Sequence, residues 1–197
     1  MVTIAGDNRN TEIKQITMIV NGSQLSECTI ISDEFPHITK LQCFEMNFSI
    51  LREITKVTFN TSWEEIETFL HNNRNLFDVL CQNLIAFDVS MVTEDGGLPQ
   101  YYCKDGILFK RAGNEACLIK YPIGRRDDVV IVPECSEENA EKLVIGRSAF
   151  EGATFVKKIK FSGFVSEVHD YAFKNCISLE TIESEKLPFI GKDAFEK

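Results

Sequence analysis

The sequence predicts a repeat solenoid of the α/β type, preceded by a β-meander and, before that, an α+β N-terminal region. Three observations carry this expectation. A hexamer recurs three times near the C-terminus, apolar positions outside the hexamer keep the same register, and a tight-turn dipeptide stands between short apolar runs just upstream.

The hexamer is found by laying the C-terminal segment over itself. Ile145-Gly146-Arg147-Ser148-Ala149-Phe150 returns as Val168-His169-Asp170-Tyr171-Ala172-Phe173 and as Ile190-Gly191-Lys192-Asp193-Ala194-Phe195, at intervals of 23 and then 22 residues. Ala153, Val156 and Ile159 of the first unit fall on Cys176, Leu179 and Ile182 of the second. A unit of this size cannot bury its own apolar face. Neighbouring coils therefore stack, and equivalent side chains form ladders through the interior. Phe150, Phe173 and Phe195 are expected to form one such spine, with small alanines beside them for the tight turn and the Leu-x-x-Ile positions as the opposite wall. The units are placed near 143–165, 166–187 and 188–197, the last incomplete.

Upstream, Asp105-Gly106 lies between Tyr101-Tyr-Cys-Lys and Ile107-Leu-Phe-Lys, a strong signal for a two-residue hairpin turn. Ala112-Gly113-Asn114 marks a second turn before Leu118-Ile119, so a three-stranded meander follows. Val129-Val-Ile-Val-Pro133 reads as a further strand, and pairing with the solenoid is expected to cover the meander's edge. The second domain is thus drawn at 93–197.

Residues 1–92 form the α+β region, read as degenerate or longer repeats. Ser62-Trp-Glu-Glu65 is a capping box, and Trp63, Ile66, Phe69 and Leu70 then fall at helical spacing, giving a helix over about 63–72. Ile16 to Val20, Thr29 to Ser32, Lys56 to Phe59 and Leu84 to Val89 read as short strands. The strands at Val57 and Ile85 stand 28 residues apart with the helix between them, as one helix-bearing repeat would require.

Composition narrows the function. The 44% apolar content supports a proper core, and the net charge of −9 argues against a nucleic-acid partner, which calls for a basic face. No run approaches the roughly 18 apolar residues of a membrane helix, and Met1-Val-Thr-Ile-Ala-Gly lacks an export signal, so membrane insertion is not expected. Cys28, Cys43, Cys81, Cys103, Cys117, Cys135 and Cys176 show no C-x-x-C pair and no regular spacing; reduced, mostly buried thiols are expected rather than zinc ligands or a disulfide framework. Asn21, Asn47 and Asn60 head Asn-x-Ser/Thr acceptors, which matter only in a secreted protein.

No catalytic constellation is legible. His37, His71 and His169 stand in unrelated contexts, and His169 takes the place of Gly146 and Gly191 in the repeat, where a turn or surface residue is expected. Asp127-Asp128 and Glu137-Glu138 lie in polar stretches that read as solvated faces. No phosphate-binding loop, dinucleotide fingerprint or zinc motif occurs, so no enzyme, cofactor or metal is expected.

A binding face follows from strand alternation. If Ile159 and Phe161 point inward, Lys158, Lys160 and Ser162 point outward, with Thr181 and Glu183 beside them on the next coil. This mixed polar surface suits protein contact, or alternatively serves only to keep the coil soluble. The open end after Phe195 is expected to be covered by neighbouring coils or to drive self-association.

The pattern Ile-Gly-x-x-Ala-Phe-x-x-Cys/Ala-x-x-Leu/Val-x-x-Ile resembles the BspA-like (Treponema pallidum-type) leucine-rich repeat. Asp105-Gly106-Ile107-Leu108-Phe109-Lys110, Leu118-Ile119-Lys120-Tyr121-Pro122 and Ile131-Val132-Pro133 are similar to the segment that often precedes such repeats. The resemblance covers about residues 98–197 and implies a right-handed coil with short strands on a concave face. Members of this family include bacterial surface adhesins and large protist families thought to contact host or extracellular-matrix proteins. That implies a non-catalytic protein-binding module at the cell surface. Ala153 in place of the usual Cys, the Phe161-Ser-Gly-Phe164 link and an N-terminal half without the motif depart from the pattern. The missing export signal supports the alternative, a cytoplasmic scaffold or regulatory protein using the same repeats.

Overall fold

The computed structural model describes residues 2–5, 15–21, 24–31, 55–60, 66–67, 70–71, 77–78, 81–89, 99–133, 141–161, 164–186 and 188–197. Ser62, Trp63, Phe69, His37, Cys43, Cys135, Asn47, Glu137, Glu138 and Ser162, all singled out in the sequence, lie outside these residues. The chain divides into two compact units, Met1–Pro99 and Gln100–Lys197.

In the first unit, β1 (Val2–Ala5), β2 (Gln15–Asn21), β3 (Gln24–Ile31), β4 (Lys56–Asn60) and β5 (Ala86–Val89) form one sheet in chain order. The pairs β1–β2 and β2–β3 are antiparallel; β3–β4 and β4–β5 are parallel. Parallel neighbours require a crossover, and residues 66, 67, 70 and 71 between β4 and β5 are helical, with Ile66 buried and Glu67 and His71 exposed. Register sets Lys56 opposite both Glu27 and Ala86, so a second interval of nearly the same length precedes the helix-bearing one seen in the sequence. The core of this unit gathers Val57, Phe59, Ile66, Phe77, Cys81, Leu84 and Phe87. Phe87 stacks on Phe59 at 6.4 Å and meets Phe77 edge-on at 5.2 Å.

The second unit begins with the meander: β6 (Tyr101–Lys104), β7 (Ile107–Ala112) and β8 (Glu115–Lys120) pair antiparallel. Asp105 (φ 51°) and Gly106 (φ 73°) both take the left-handed conformation that a two-residue hairpin turn needs, which is why Asp-Gly stands there. From β8 the chain coils. β9 (Val129–Val132), β11 (Lys158–Phe161) and β13 (Thr181–Glu183) form a three-stranded parallel sheet, while β10 (Lys142–Ile145), β12 (Val165–Val168) and β14 (Phe189–Ile190) extend the meander sheet by parallel pairing onto β8. The result is a strand-rich coil of about four turns. The meander's edge is therefore covered by β10, with Leu118 opposite Ile145, and β8 is itself the first strand of the coil.

Among the described residues of this unit, tight turns rather than helices carry the chain through each hexamer. Ser148, Tyr171 and Asp193, the same hexamer position three times over, have φ of 56°, 58° and 56°, and the later position held by Gly152 and Asn175 is also left-handed. A left-handed residue ends helical propagation, so each hexamer turns instead of winding on. Coils are tied by a recurring backbone bond: Tyr121 N–H to Ala149 O at 2.8 Å, Phe150 N–H to Ala172 O at 2.7 Å, and Phe173 N–H to Ala194 O at 2.8 Å.

The interior has the expected ladders. Phe150 stacks on Phe173 at 5.3 Å and Phe173 on Phe195 at 5.1 Å, and the spine continues upstream into Tyr121, 5.0 Å from Phe150. Ala149, Ala172 and Ala194 are all buried beside it. Opposite, Ala153, Val156 and Ile159 are buried, Cys176 covers Ala153's place in the next coil, and Leu179 and Ile182 pack partly buried against the core. The thiol of Cys176 donates to the carbonyl of Phe150 at 3.1 Å, which makes it a staple between coils.

Candidate functional face

The outward side of β9, β11 and β13 is built by alternation. Val130, Val132, Ile159 and Phe161 turn into the core, which leaves Val129, Ile131, Lys158 and Lys160 outward. Register aligns them in two rows: Val129, Lys158 and Thr181, then Ile131, Lys160 and Glu183. The face is thus apolar on β9, cationic on β11 and hydroxylic and acidic on β13.

Of the five residues proposed from sequence, Lys158, Lys160, Thr181 and Glu183 stand together on this face. Glu183 is the hub. It forms an ion pair with Lys158, and its second oxygen lies 3.3 Å from the Lys160 ammonium. The hydrogen bond from Lys158, helped by that from Lys160, holds the Glu183 carboxyl below the usual carboxylate range. Two lysines on one carboxylate leave a local excess of one positive charge. Beside them Lys157 pairs with Asp128 at 3.0 Å, and Arg126 lies over the Phe155 ring at 5.3 Å.

Sequence reasoning passed over Val129 and Ile131, which are 48% and 62% exposed. A uniformly apolar run such as Val-Val-Ile-Val carries no alternation, so it does not reveal which residues face solvent. The only available signal was their register beside the lysines, which needs the sheet. His169 is exposed, with its Nε2 3.3 Å from Glu167. Asp127 accepts from Tyr121 at 3.3 Å and pairs with Arg125 at 2.9 Å, and so has a structural role at the head of the aromatic spine.

Among the described residues no group of three or more His, Cys, Asp or Glu side chains is placed to hold a metal ion, and no helix is long and apolar enough to cross a membrane. Cys81, Cys117 and Cys176 are free thiols. Burial pushes the thiols of Cys81 and Cys176 up to about 12 and that of Cys117 up to about 11, the wrong direction for nucleophiles.

Comparison with known proteins places the repeat. No curated protein matches the chain. A leucine-rich cell surface protein from Faecalibacterium prausnitzii A2-165 is similar in structure at 17% identity, with a TM-score of 0.43, covering 81% of this chain and 41% of that one. The chain thus spans less than half the length of that protein. Residues 138–197 match the family description "BspA type leucine rich repeat region", which comprises six copies. That matched segment holds all three copies of the hexamer, with their left-handed turns and the Phe150–Phe173–Phe195 spine: residues 138–197 of this chain are similar to a BspA-type leucine-rich repeat region.

Proposed function

We propose that the chain is a non-catalytic protein-binding module that acts at a cell surface, contacting a host or extracellular-matrix protein through the outward face of β9, β11 and β13. The observation that carries this reading is the juxtaposition of exposed Val129 and Ile131 with the Lys158–Glu183–Lys160 cluster. Protein interfaces combine apolar and polar contacts, and this face sets exposed apolar residues on β9 directly beside a charged cluster on β11 and β13. The repeat family supports protein interaction as the class of activity. The local cationic excess suits an acidic partner.

The test is binding of the chain to a solubilised basement-membrane extract immobilised on a sensor surface, with I131D and the double variant K158E/K160E as comparisons. Saturable binding that falls at least about tenfold in both variants is expected, the loss typical of an interface anchor. Binding that survives both changes would remove this face from the proposal, and no binding by the folded wild-type chain would remove the matrix partner.

A second reading, an intracellular scaffold, is favoured by the free thiols of Cys81, Cys117 and Cys176 among the described residues, which suit a reducing compartment. Fractionation of cells expressing the full-length protein separates the two: a cytosolic, unglycosylated product supports the scaffold.

A further inference from the structure

The two sheets of the second unit are unequal where the coil begins. Past β8 the meander sheet continues into β7 and β6, on the side away from β10, whereas the opposite wall stops at β9. β9 stands in mid-chain, so its open edge is set by topology. Lys158 lies opposite Val129 and its N–H donates to Asp128 O at 3.0 Å, which turns the backbone groups of Asp128 toward β11. Successive residues of a strand present their N–H and C=O to opposite sides, so those of Val130 and Val132 also face β11 and those of Val129 and Ile131 face the open edge. Among the described residues no hydrogen bond reaches them there.

This edge is also unguarded. Native sheets blunt a free edge with charged side chains or bulges. Val129-Val-Ile-Val132 carries no charge and runs against β11 in unbroken register, and its outward side chains, Val129 and Ile131, are exposed. The backbone groups on offer lie two residues, or about 6.6 Å, apart along the strand. Another extended backbone matches that spacing with donors and acceptors of its own. A second copy pairing β9 to β9 does not fit. Such a pair is related by a twofold axis normal to the sheet, which sets both coils on the same side, and β7 and β6 of each copy would then take the place of the other's β8 and β10. A single strand in the plane of β9 avoids this, because packed sheets lie about 10 Å apart and it passes β7 at that distance.

We infer that β9 takes an extended segment of a partner protein as a further strand of its sheet, held by backbone hydrogen bonds to Val129 and Ile131 and by apolar side chains that lie beside theirs. This rests on the reading of the β9, β11 and β13 face as a protein-binding surface and states how the partner is held there. The partner's segment has no proline at its bonded positions and carries an apolar residue at every second place, because only alternate residues share the outward face with Val129 and Ile131. Cross-strand contact then removes from water the apolar surface that β9 exposes.

The probe is a short acetylated and amidated peptide alternating valine with threonine between terminal glutamates, added to the full wild-type chain. Hydrogen exchange at the Val129 and Ile131 amides is expected to slow about tenfold or more at saturation. Two N-methylated forms of the peptide separate backbone pairing from side-chain contact, one methylated on its valines and the other on its threonines. Strand pairing uses one edge of the peptide, so one form is expected to lose at least about tenfold in affinity, the worth of two ordinary hydrogen bonds, while the other binds within about threefold of the unmodified peptide. Equal loss in both forms, or in neither, overturns the inference. So does a peptide that leaves both amides unprotected at about millimolar concentration, well above the range of specific strand addition. Protection of Val129 that rises with protein concentration in the absence of peptide overturns it too, because the edge would then belong to a second copy. The matrix extract plays no part here. Loss of matrix binding in K158E/K160E without any response to the peptide would retain the face and remove strand addition, whereas protection by the peptide without matrix binding would retain strand addition and remove the matrix partner.

Discussion

Truncating the aromatic spine should destabilise the C-terminal unit in an order set by position. Phe150 is fully buried between Tyr121 and Phe173, with ring centroids 5.0 Å and 5.3 Å away. Neither neighbour can close over the gap without breaking its own stack, so F150A should cost about 4–5 kcal/mol, the upper part of the range for a buried Phe to Ala. Phe173 is 2% exposed, but its other neighbour is Phe195, 46% exposed and free to settle toward the void. F173A should therefore cost about 3–4 kcal/mol. Phe195 has only about half of its surface to lose, which sets F195A at about 1–1.5 kcal/mol. Urea unfolding followed by near-ultraviolet circular dichroism is the assay, since Tyr101, Tyr102, Tyr121 and Tyr171 all belong to the second unit and the single Trp63 to the first. A cost for F173A under about 1 kcal/mol, or for F195A equal to that for F150A, would refute the stacked-spine account.

Three further outcomes are expected. G146A should destabilise by about 1–3 kcal/mol, because its Cβ would lie 2.8 Å from the backbone carbonyl oxygen of Leu118, a contact that only a shift between coils can relieve; an unchanged urea midpoint would show that the coils separate easily. The Glu183 carboxyl titrates below the ordinary range because Lys158 and then Lys160 hydrogen-bond its charged form. A folded value lower than the unfolded one means that this contribution is present above the unfolded carboxylate range and disappears as pH falls through the lower, folded value. Carbon-detected NMR titration of Glu183 should show the depression in wild type and its reduction in K158A; ordinary titration in both would dissolve the cluster. Finally, Cys81, Cys117 and Cys176, with thiols raised to about 12, 11 and 12 by burial, should resist iodoacetamide at pH 8 in the native protein and react on unfolding in urea. Modification of native Cys176 at the rate of a free thiol would place it outside the core.

Some of the molecule could be read directly from residues. The spine and its alanines were legible because the same side chain must recur wherever identical coils stack, so periodicity in the sequence becomes a ladder in space. Asp105-Gly106 was legible because few dipeptides accept two consecutive left-handed conformations. Lys158, Lys160, Thr181 and Glu183 were found by alternation alone, since a charged residue between buried apolar ones has one place to go.

Other features had no local signal. Tyr121 heads the spine although it follows Leu118 by three residues, where the hexamer sets its phenylalanine five residues after Ile145; only the pairing of Leu118 with Ile145 brings the two rings level. The outward aim of Val129 and Ile131 depended on which neighbour fixed the register of β9. In the first unit, β3 joins β4 in parallel across residues that carry no repeat motif, so sequence comparison within the chain could not announce it. The sequence by itself determined what repeats and which residues must stack, because identical coils impose identical side chains. Tertiary structure decided where the coil starts, which apolar residues it leaves exposed and how its charges pair in space, because those depend on register between strands that are distant along the chain.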